Sequence, residues 1–370
     1  MQKIRVLMVV PSLRVANGVA SFAMNYYRKL DRDRVKMDFL AYRKIESPYT
    51  DEIRKNGDSV YFVSSIKDIV KHYNECKKIM SDGHYDVIHD NTLHISIPLM
   101  WCAKRLNVPV RILHSHNAKL GETKAKEIRN AVFMPALKSC ATDYLACSKV
   151  AGQMMFGSNH FDILPNVIST KNFIYNEAVR SEVRGQMNAQ NKFVVGTVGR
   201  IAAQKNPFFA IEVFECFLKA HPEAEYWWIG DGPLADQVTT CVKSKGLSDH
   251  VKLLGSRSDT AKLYQGMDVF FLPSVFEGLG IVGIEAQAMG LPCVVSDAVP
   301  QEVAYTDLVD FVSLDEPPQV WSEHLSTSSH REQCRTKYSK MLQKSVYSDE
   351  RCGERMEALY TSYLEKVGYK

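Results

Sequence analysis

The stretch Ser274-Val-Phe-Glu277-Gly278-Leu-Gly280-Ile281-Val282-Gly-Ile-Glu285 decides how this 370-residue chain is read. Two glutamates stand eight positions apart, Glu277 before a predicted helix and Glu285 one turn inside it. Gly278 and Gly280 lie between them, and a residue without Cβ lets the backbone approach a ligand closely. The amides of Gly280, Ile281 and Val282 open the helix, where unpaired N–H groups and the helix dipole make a seat for phosphate. A carboxylate beside that seat disfavours phosphate, so each glutamate reads as an acceptor for ligand hydroxyls. Phosphate and hydroxyls on one ligand describe a sugar nucleotide. Taken alone, the stretch also reads as a strand-to-helix turn with one exposed acid and one acid favoured by the dipole.

On both sides of this turn, short β-rich runs alternate with helical ones. Strands are expected over 4–10, 36–41, 59–63, 86–89, 110–114, 143–148 and 161–165, with helices over 20–30, 66–80, 95–106 and 123–139. The polar stretch 169–191 breaks the pattern and reads as a linker with a helical piece. Strands then follow over 193–198, 225–229, 250–254, 268–272 and 292–296, with helices over 207–220, 233–245, 259–265 and 281–289. Helices near 329–345 and 349–366 close the chain. Two βαβ series of this kind predict an α/β protein with two doubly wound parallel sheets. Ligands of such sheets bind at the carboxyl ends of the strands, so a cleft shared by the two domains is the expected site.

Composition bounds the function. A hydrophobic content of 45% suffices for two ordinary cores. The longest apolar runs, such as 95–103, fall short of the roughly 18 residues of a membrane span. The run 4–10 is interrupted by Arg5 and followed by a polar loop, which argues for a first strand and against a signal peptide. Nine cysteines without a Cys-x-x-Cys pair point to reduced thiols, not to disulfides or zinc. The net charge of +4 is unevenly spread: residues 1–190 carry 28 Lys and Arg against 18 Asp and Glu, and residues 191–370 carry 18 against 24. Such asymmetry suggests an anionic surface or ligand for the first half. Arg28, Lys29, Arg32, Arg34 and Lys36 form one basic group, and Lys119, Lys124, Lys126 and Arg129 a second.

Three further segments carry chemistry. Strand 193–198 runs into Gly199-Arg200-Ile-Ala-Ala-Gln-Lys205, where a guanidinium fork and a compact ammonium suit phosphate oxygens. The first strand leads to Asn17-Gly18 before a helix, a single glycine without a Gly-x-Gly-x-x-Gly; Asn17 is a residue that tolerates positive φ. Strand 110–114 ends in His114-Ser115-His116-Asn117, two histidines on one strand face. A metal pair is one reading, but no third ligand stands at a metal-site spacing. Asp31-Arg-Asp33 spells the Asp-x-Asp of metal-dependent transferases but follows the first helix and reads as a solvated turn.

The block from Gln265-Gly-Met-Asp through the Glu-Gly-x-Gly turn to Glu285-Ala-Gln-Ala-Met-Gly-Leu-Pro292 resembles the donor-sugar site of retaining glycosyltransferases of family 4. The likeness is close over 193–297, looser elsewhere, and strongest toward capsule and exopolysaccharide enzymes. It implies GT-B architecture, two Rossmann-like domains facing across a cleft. Residues 1–185 would bind the acceptor and 186–345 the nucleotide sugar, with 346–370 crossing back to the first domain. The resemblance places Arg200 and Lys205 on the donor diphosphate, Glu277 on the sugar hydroxyls and Glu285 on the ribose. Gly280, Ile281 and Val282 would offer amides to phosphate, and the segment ending in Arg257 would lie by the base. From the first domain, Gly18 and a histidine, His116 in preference to His114, would complete the site. The catalytic set is then His116, Glu277, Arg200 and Lys205, with no metal and no resident cofactor. The implied activity is retaining transfer from a nucleotide-diphosphate sugar, uridine being the commonest base, to a lipid-linked glycan acceptor. A cytoplasmic protein peripheral to the inner face of the plasma membrane, at an anionic surface and without nucleic acid, would fit that role. Two other readings stay open, a nonhydrolysing sugar-nucleotide epimerase of the same fold and a two-domain binding protein without chemistry.

Overall fold

A computed structural model describes residues 3–15, 17–121, 124–328 and 334–369. The chain forms two units, Met1–Val167 with Asp349–Lys370, and Ile168–Ser348. In the first, β1 (Ile4–Val10), β2 (Val35–Ala41), β3 (Val60–Phe62), β4 (Val87–Asp90), β5 (Val110–Ser115), β6 (Asp143–Ala146) and β7 (Asp162–Ile163) make one sheet of order β3-β2-β1-β4-β5-β6-β7. Every neighbouring pair is parallel. β1 is central, and its Val6–Val10 side chains are buried on both faces, which is why it reads as an unbroken apolar run. Strand order reverses beside β1, and the segments that lead to Gly18 and carry His116 leave the carboxyl ends of β1 and β5.

The second unit has β8 (Val194–Val198), β9 (Glu225–Ile229), β10 (Val251–Leu253), β11 (Val269–Leu272), β12 (Cys293–Ser296) and β13 (Val309–Val312), again all parallel, in the order β10-β9-β8-β11-β12-β13. Here the order reverses beside β8, whose end carries Gly199 and Arg200. The core is aromatic, with Tyr226, Trp228, Phe214, Phe217, Phe271 and Trp321 packed together.

Three elements are absent from the sequence reading. Helix Pro48–Lys55 is short and polar and is held by a reciprocal cap between Ser47 and Thr50. β13 is a half-buried edge strand, and helix Pro318–Ser328 is mostly polar apart from Trp321 and Leu325, which enter the core. The start of the helix expected over 123–139 and residues 329–333 of that expected over 329–345 lie outside the described residues. The remainders appear as Lys124–Lys138 and Thr336–Lys344. No helix among the described residues is long and apolar enough to cross a membrane.

The boundaries also differ from 185/186 and 345/346. Helix Glu177–Gln186 belongs to the second unit because Arg180 and Arg184 grip the Asp268 carboxylate, 2.5 and 3.0 Å away, and donate to carbonyl oxygens of 265–267. The chain therefore enters the second unit at Ile168 and leaves it at Ser348, residues that form a parallel bridge within that unit. The final helix, Cys352–Lys366, packs in the first unit against helix Gly18–Tyr27. Tyr363 Oη donates to Asp162 at 2.6 Å and Lys366 Nζ to Asp143 at 2.7 Å.

Gly353 is the tight point of that docking: a Cβ there would stand 1.9 Å from the Lys29 carbonyl oxygen. Gly353→Ala is expected to destabilise the protein by about 1–3 kcal/mol through this backbone clash. Gly185→Ala, whose Cβ would meet only the Gln190 side chain at 3.9 Å, should be neutral or stabilising. Urea unfolding of the two variants checks the contrast, and equal midpoints would contradict it.

Candidate functional site

In the second unit the site grows from bare backbone at three strand ends. Gly199, after β8, and Gly230, after β9, have φ of +149° and +143°, conformations that favour glycine. The Gly199 amide donates to Ile229 O at 2.9 Å, and the Gly230 amide to Gly255 O at 2.8 Å. A Cβ on Gly230 would lie 2.0 Å from Gly199 O, and one on Gly199 would lie 2.7 Å from Lys205 Cε. These glycines let the Lys205 side chain fold back over the strand end. Lys205 is buried, with Nζ 2.6 Å from Glu277 Oε1, and Glu277 is buried too. Gln204 completes the lock. Its Nε2 donates to Phe276 O at 3.1 Å and Glu277 Oε2 at 3.3 Å, while its carbonyl accepts from Val275 N at 2.8 Å.

Three residues beyond Glu277, Gly280 takes φ +81° and begins helix Ile281–Ala288 without any side-chain cap. The Gly283 amide donates to Gly280 O at 2.8 Å, so the amides of Ile281 and Val282 precede the first helical bond. Glu285, on the next turn, meets Tyr264: Tyr264 Oη lies 2.9 Å from Glu285 Oε2 and 3.1 Å from Val282 O, one hydroxyl proton between two acceptors. Burial pushes the Glu285 carboxyl up to about 7, against the opposing pull of the Tyr264 hydrogen bond and the Lys205 charge.

Arg200 is exposed at the end of β8, while Arg257 is not drawn into this cluster. Its guanidinium is held by Asp259, at 2.8 and 2.6 Å, because a carboxylate two residues away in the same loop already matches its fork. The turn Gly230–Leu234 is structural: a Cβ on Gly232 would lie 2.2 Å from Ile201 O.

In the first unit, His114 and His116 share one strand face with rings 4.1 Å apart, and Phe22 of helix Gly18–Tyr27 packs on both. The two differ in what they touch. His114 is wholly buried, its Nδ1 3.0 Å from His89 Nε2, and His89 Nδ1 is 2.8 Å from Tyr360 Oη. His116 is half-buried, with Nε2 2.8 Å from Asn91 Oδ1. Its Nδ1 and Asn166 Oδ1 lack hydrogen-bond partners, as does His114 Nε2. Burial draws His116 down to about 4 and His114 well below the ordinary imidazole range, so both rings are neutral at pH 7. His114 belongs to the interior, and His116 is the one of the two that keeps part of its surface exposed.

Asn17 does not use positive φ. It has φ −102° and caps the helix, its Oδ1 accepting from Ala20 N at 3.0 Å. A Cβ on Gly18 would meet nothing within 4 Å, so packing does not demand glycine there. Asp31 Oδ1 accepts from the Asp33 amide in an exposed turn, as expected of a solvated Asp-x-Asp. The sequence reading does not single out Gln204, Tyr264 or Asn91. Gln204 stands next to Lys205, the nearest thing to a local signal.

Residues 179–341 match the family described as glycosyl transferases group 1. Over 337 residues the chain is 31% identical to EpsF of Bacillus subtilis (strain 168), covering 88% of each protein. The chain belongs to this glycosyltransferase family. A UDP-Gal:alpha-D-GlcNAc-diphosphoundecaprenol alpha-1,3-galactosyltransferase of Escherichia coli is 25% identical over 310 residues, 78% of each chain. Among solved structures, HepE of Anabaena in complex with UDP-glucose superposes with a TM-score of 0.79 at 16% identity, over 97% of this chain and all of that one. Sucrose-phosphate synthase from Thermosynechococcus elongatus gives 0.78 at 15%, over 98% of this chain and all of that one. The two Rossmann-like units of this group 1 glycosyltransferase are thus those of the GT-B fold.

Glu285 generates a prediction about pH. Its folded carboxyl titrates near 7 against an ordinary 4.5, so the folded state binds the proton more tightly than the unfolded chain. Stability from this group is therefore present at acid pH and lost as pH rises through the window between those values. Glu285→Gln removes that loss. The variant should gain thermal stability over the wild type on going from about pH 5 to about pH 8 while losing nucleotide affinity by about tenfold or more. Parallel stability–pH curves, or unchanged affinity for every nucleotide the wild type binds, would refute the assignment. Tyr264→Phe should displace the Glu285 midpoint upward, since a donor to the carboxylate is lost.

Proposed function

We propose that this enzyme is a retaining glycosyltransferase of family 4 that moves a sugar from a UDP-sugar to a lipid-linked glycan acceptor, in capsule or exopolysaccharide synthesis. It would act in the cytoplasm, peripheral to the inner face of the plasma membrane. The observation that carries the proposal is the Lys205–Glu277 pair beside the uncapped helix start at Gly280, a cation, a hydroxyl acceptor and free-standing amides in one loop cluster. Two facts about other proteins support the donor and acceptor classes: HepE holds UDP and UDP-glucose, and the E. coli relative is named for UDP-Gal and a diphosphoundecaprenol-linked sugar.

In this reading Arg200 and Lys205 neutralise the nucleoside diphosphate as it departs, where charge develops in the transition state, so that no metal or resident cofactor is assigned that task. Glu277 accepts from the sugar hydroxyls and Glu285 from the ribose. His116, neutral and half-buried, is assigned to the donor sugar, and Gly18, where a Cβ would meet nothing within 4 Å, leaves room for phosphate. Glu277 is held by Lys205 and Gln204, which suits a hydroxyl acceptor better than a covalent nucleophile. Attack would then come from the leaving-group face, with the departing phosphate oxygen taking the acceptor proton.

Transfer of labelled sugar from UDP-sugars to extracted lipid-linked acceptor, with NMR of the product anomer, tests the reading. Label that stays on the nucleotide with inverted stereochemistry would mean epimerase chemistry, and an inverted glycosidic linkage would refute retention. Arg200 is exposed, so Arg200→Ala should lower turnover by about a hundredfold with little change in melting temperature. Near-wild-type turnover at saturating donor would remove Arg200 from the mechanism.

A further inference from the structure

Helix Lys124–Lys138 of the first unit has two apolar faces. Met134 and Leu137 enter the core. On the other side Ile128 and Val132 are 67% and 68% exposed, and Phe133 at the flank is 48% exposed. At 100° per residue Ile128, Val132 and Pro135 fall on one outward stripe, where a lone helix would carry charge. Helix Ile97–Arg105 lies beside it and exposes Trp101 by 46%, with the Arg105 guanidinium 4.9 Å from the ring centroid. The β4–β5 and β5–β6 crossovers run in the same direction along the sheet, so right-handed connections put both helices on one face of it.

Among the described residues the charge on this helix is predominantly basic. Lys124, Lys126 and Arg129 are exposed on the helix, and its one carboxylate, Glu127, is half-buried. The first basic group is tied into ion pairs. Arg28 pairs with Glu52 at 2.7 Å, Lys29 with Asp349 at 3.1 Å, Arg32 with Asp58 at 2.8 Å and Arg34 with Glu357 at 3.5 Å. Those four cations serve ion pairs within the first unit, and the second group is the one that borders the exposed apolar side chains of helix Lys124–Lys138.

We infer that the face formed by Trp101, Ile128, Val132 and Phe133, flanked by Lys124 and Arg129, docks the protein onto an anionic lipid bilayer. The apolar side chains enter the headgroup boundary while the cations meet lipid phosphates. Charge complementarity selects this occupant. A second copy of the chain in two-fold pairing would set the same basic rim against itself. The inference deepens the membrane-side acceptor proposed above and rests on it for its purpose. Its test needs neither donor nor acceptor, so docking and transferase activity can fail separately.

The chain has four tryptophans, and Trp227, Trp228 and Trp321 are fully buried in the second unit. Trp101 is therefore a reporter on the proposed face. Vesicles of phosphatidylglycerol and phosphatidylcholine should pellet the full-length protein and shift its emission to the blue; pure phosphatidylcholine should do neither. Trp101→Phe should still pellet but lose the shift. Ile128→Ser with Val132→Ser, both at exposed positions, should keep the wild-type melting temperature and lose about tenfold or more in partitioning. High salt should weaken binding of the wild type. Wild-type protein left in the supernatant with anionic vesicles, or a double variant that binds as well as wild type, would overturn the inference. So would sedimentation showing that the wild type self-associates without lipid and that the double variant is monomeric.

Discussion

A lysine ammonium and a glutamate carboxylate, both withdrawn from water and 2.6 Å apart, set the geometry on which the second unit's site depends. Such a pair adds little to stability, because desolvating two charges offsets most of their attraction, yet removing one partner strands the other. Its placement needs Gly199, where a side chain would strike Lys205, and in turn Gly230, where one would strike Gly199. Gln204 fixes the other side by joining Val275, Phe276 and Glu277 to the turn that carries Lys205. In the proposed reaction a donor diphosphate competes for Lys205, and Glu277 then needs new donors, which the sugar hydroxyls supply. Phosphate and sugar recognition become coupled: a nucleotide without its sugar would leave Glu277 short of partners.

The first unit solves a different problem. Its histidines are kept neutral by burial, so they act as hydrogen-bonding groups and not as charges. Tyr360, on the returning C-terminal helix, continues through His89 to His114 by two hydrogen bonds, and His116 stacks on the end of that chain. One donor direction must run along the whole series, since each neutral ring donates from one nitrogen and accepts at the other. Docking of the last helix thus supports the strand end that presents His116, although it lies more than two hundred residues away in sequence.

How much of this is legible in the chain follows from where each signal resides. Strands buried on both faces read directly as apolar runs, so β1, β8, β9, β11 and β12 appear within a residue or two of their expected ends. Edge strand β13 and helices Pro48–Lys55 and Pro318–Ser328 are half polar and leave no such trace. The domain boundary is misplaced because Arg180 and Arg184 look like solvated linker charges until Asp268, over eighty residues on, is seen between them. Within the site, the spacing of Glu277, Gly280 and Glu285 is a local signal, as is the Gly199-to-Lys205 loop. Side-chain direction is not. Nothing near Tyr264 announces that it meets Glu285, and Arg257 turns to Asp259 for a reason that spacing alone does not rank.

The charge asymmetry shows the same limit in another form. A count of cations treats Arg34 and Lys124 alike, but Arg34 pairs with Glu357 and Lys29 with Asp349, ties that hold the returning segment to the first unit. Their charge serves the fold and is cancelled locally. Lys124 and Arg129 instead stand beside Ile128 and Val132, where exposed apolar surface and an excess of cations coincide. A long-range attraction that fades within a Debye length gains residence only if apolar contact follows it. It is that coincidence, more than the excess of positive charge over the first half of the chain, that marks a surface for docking.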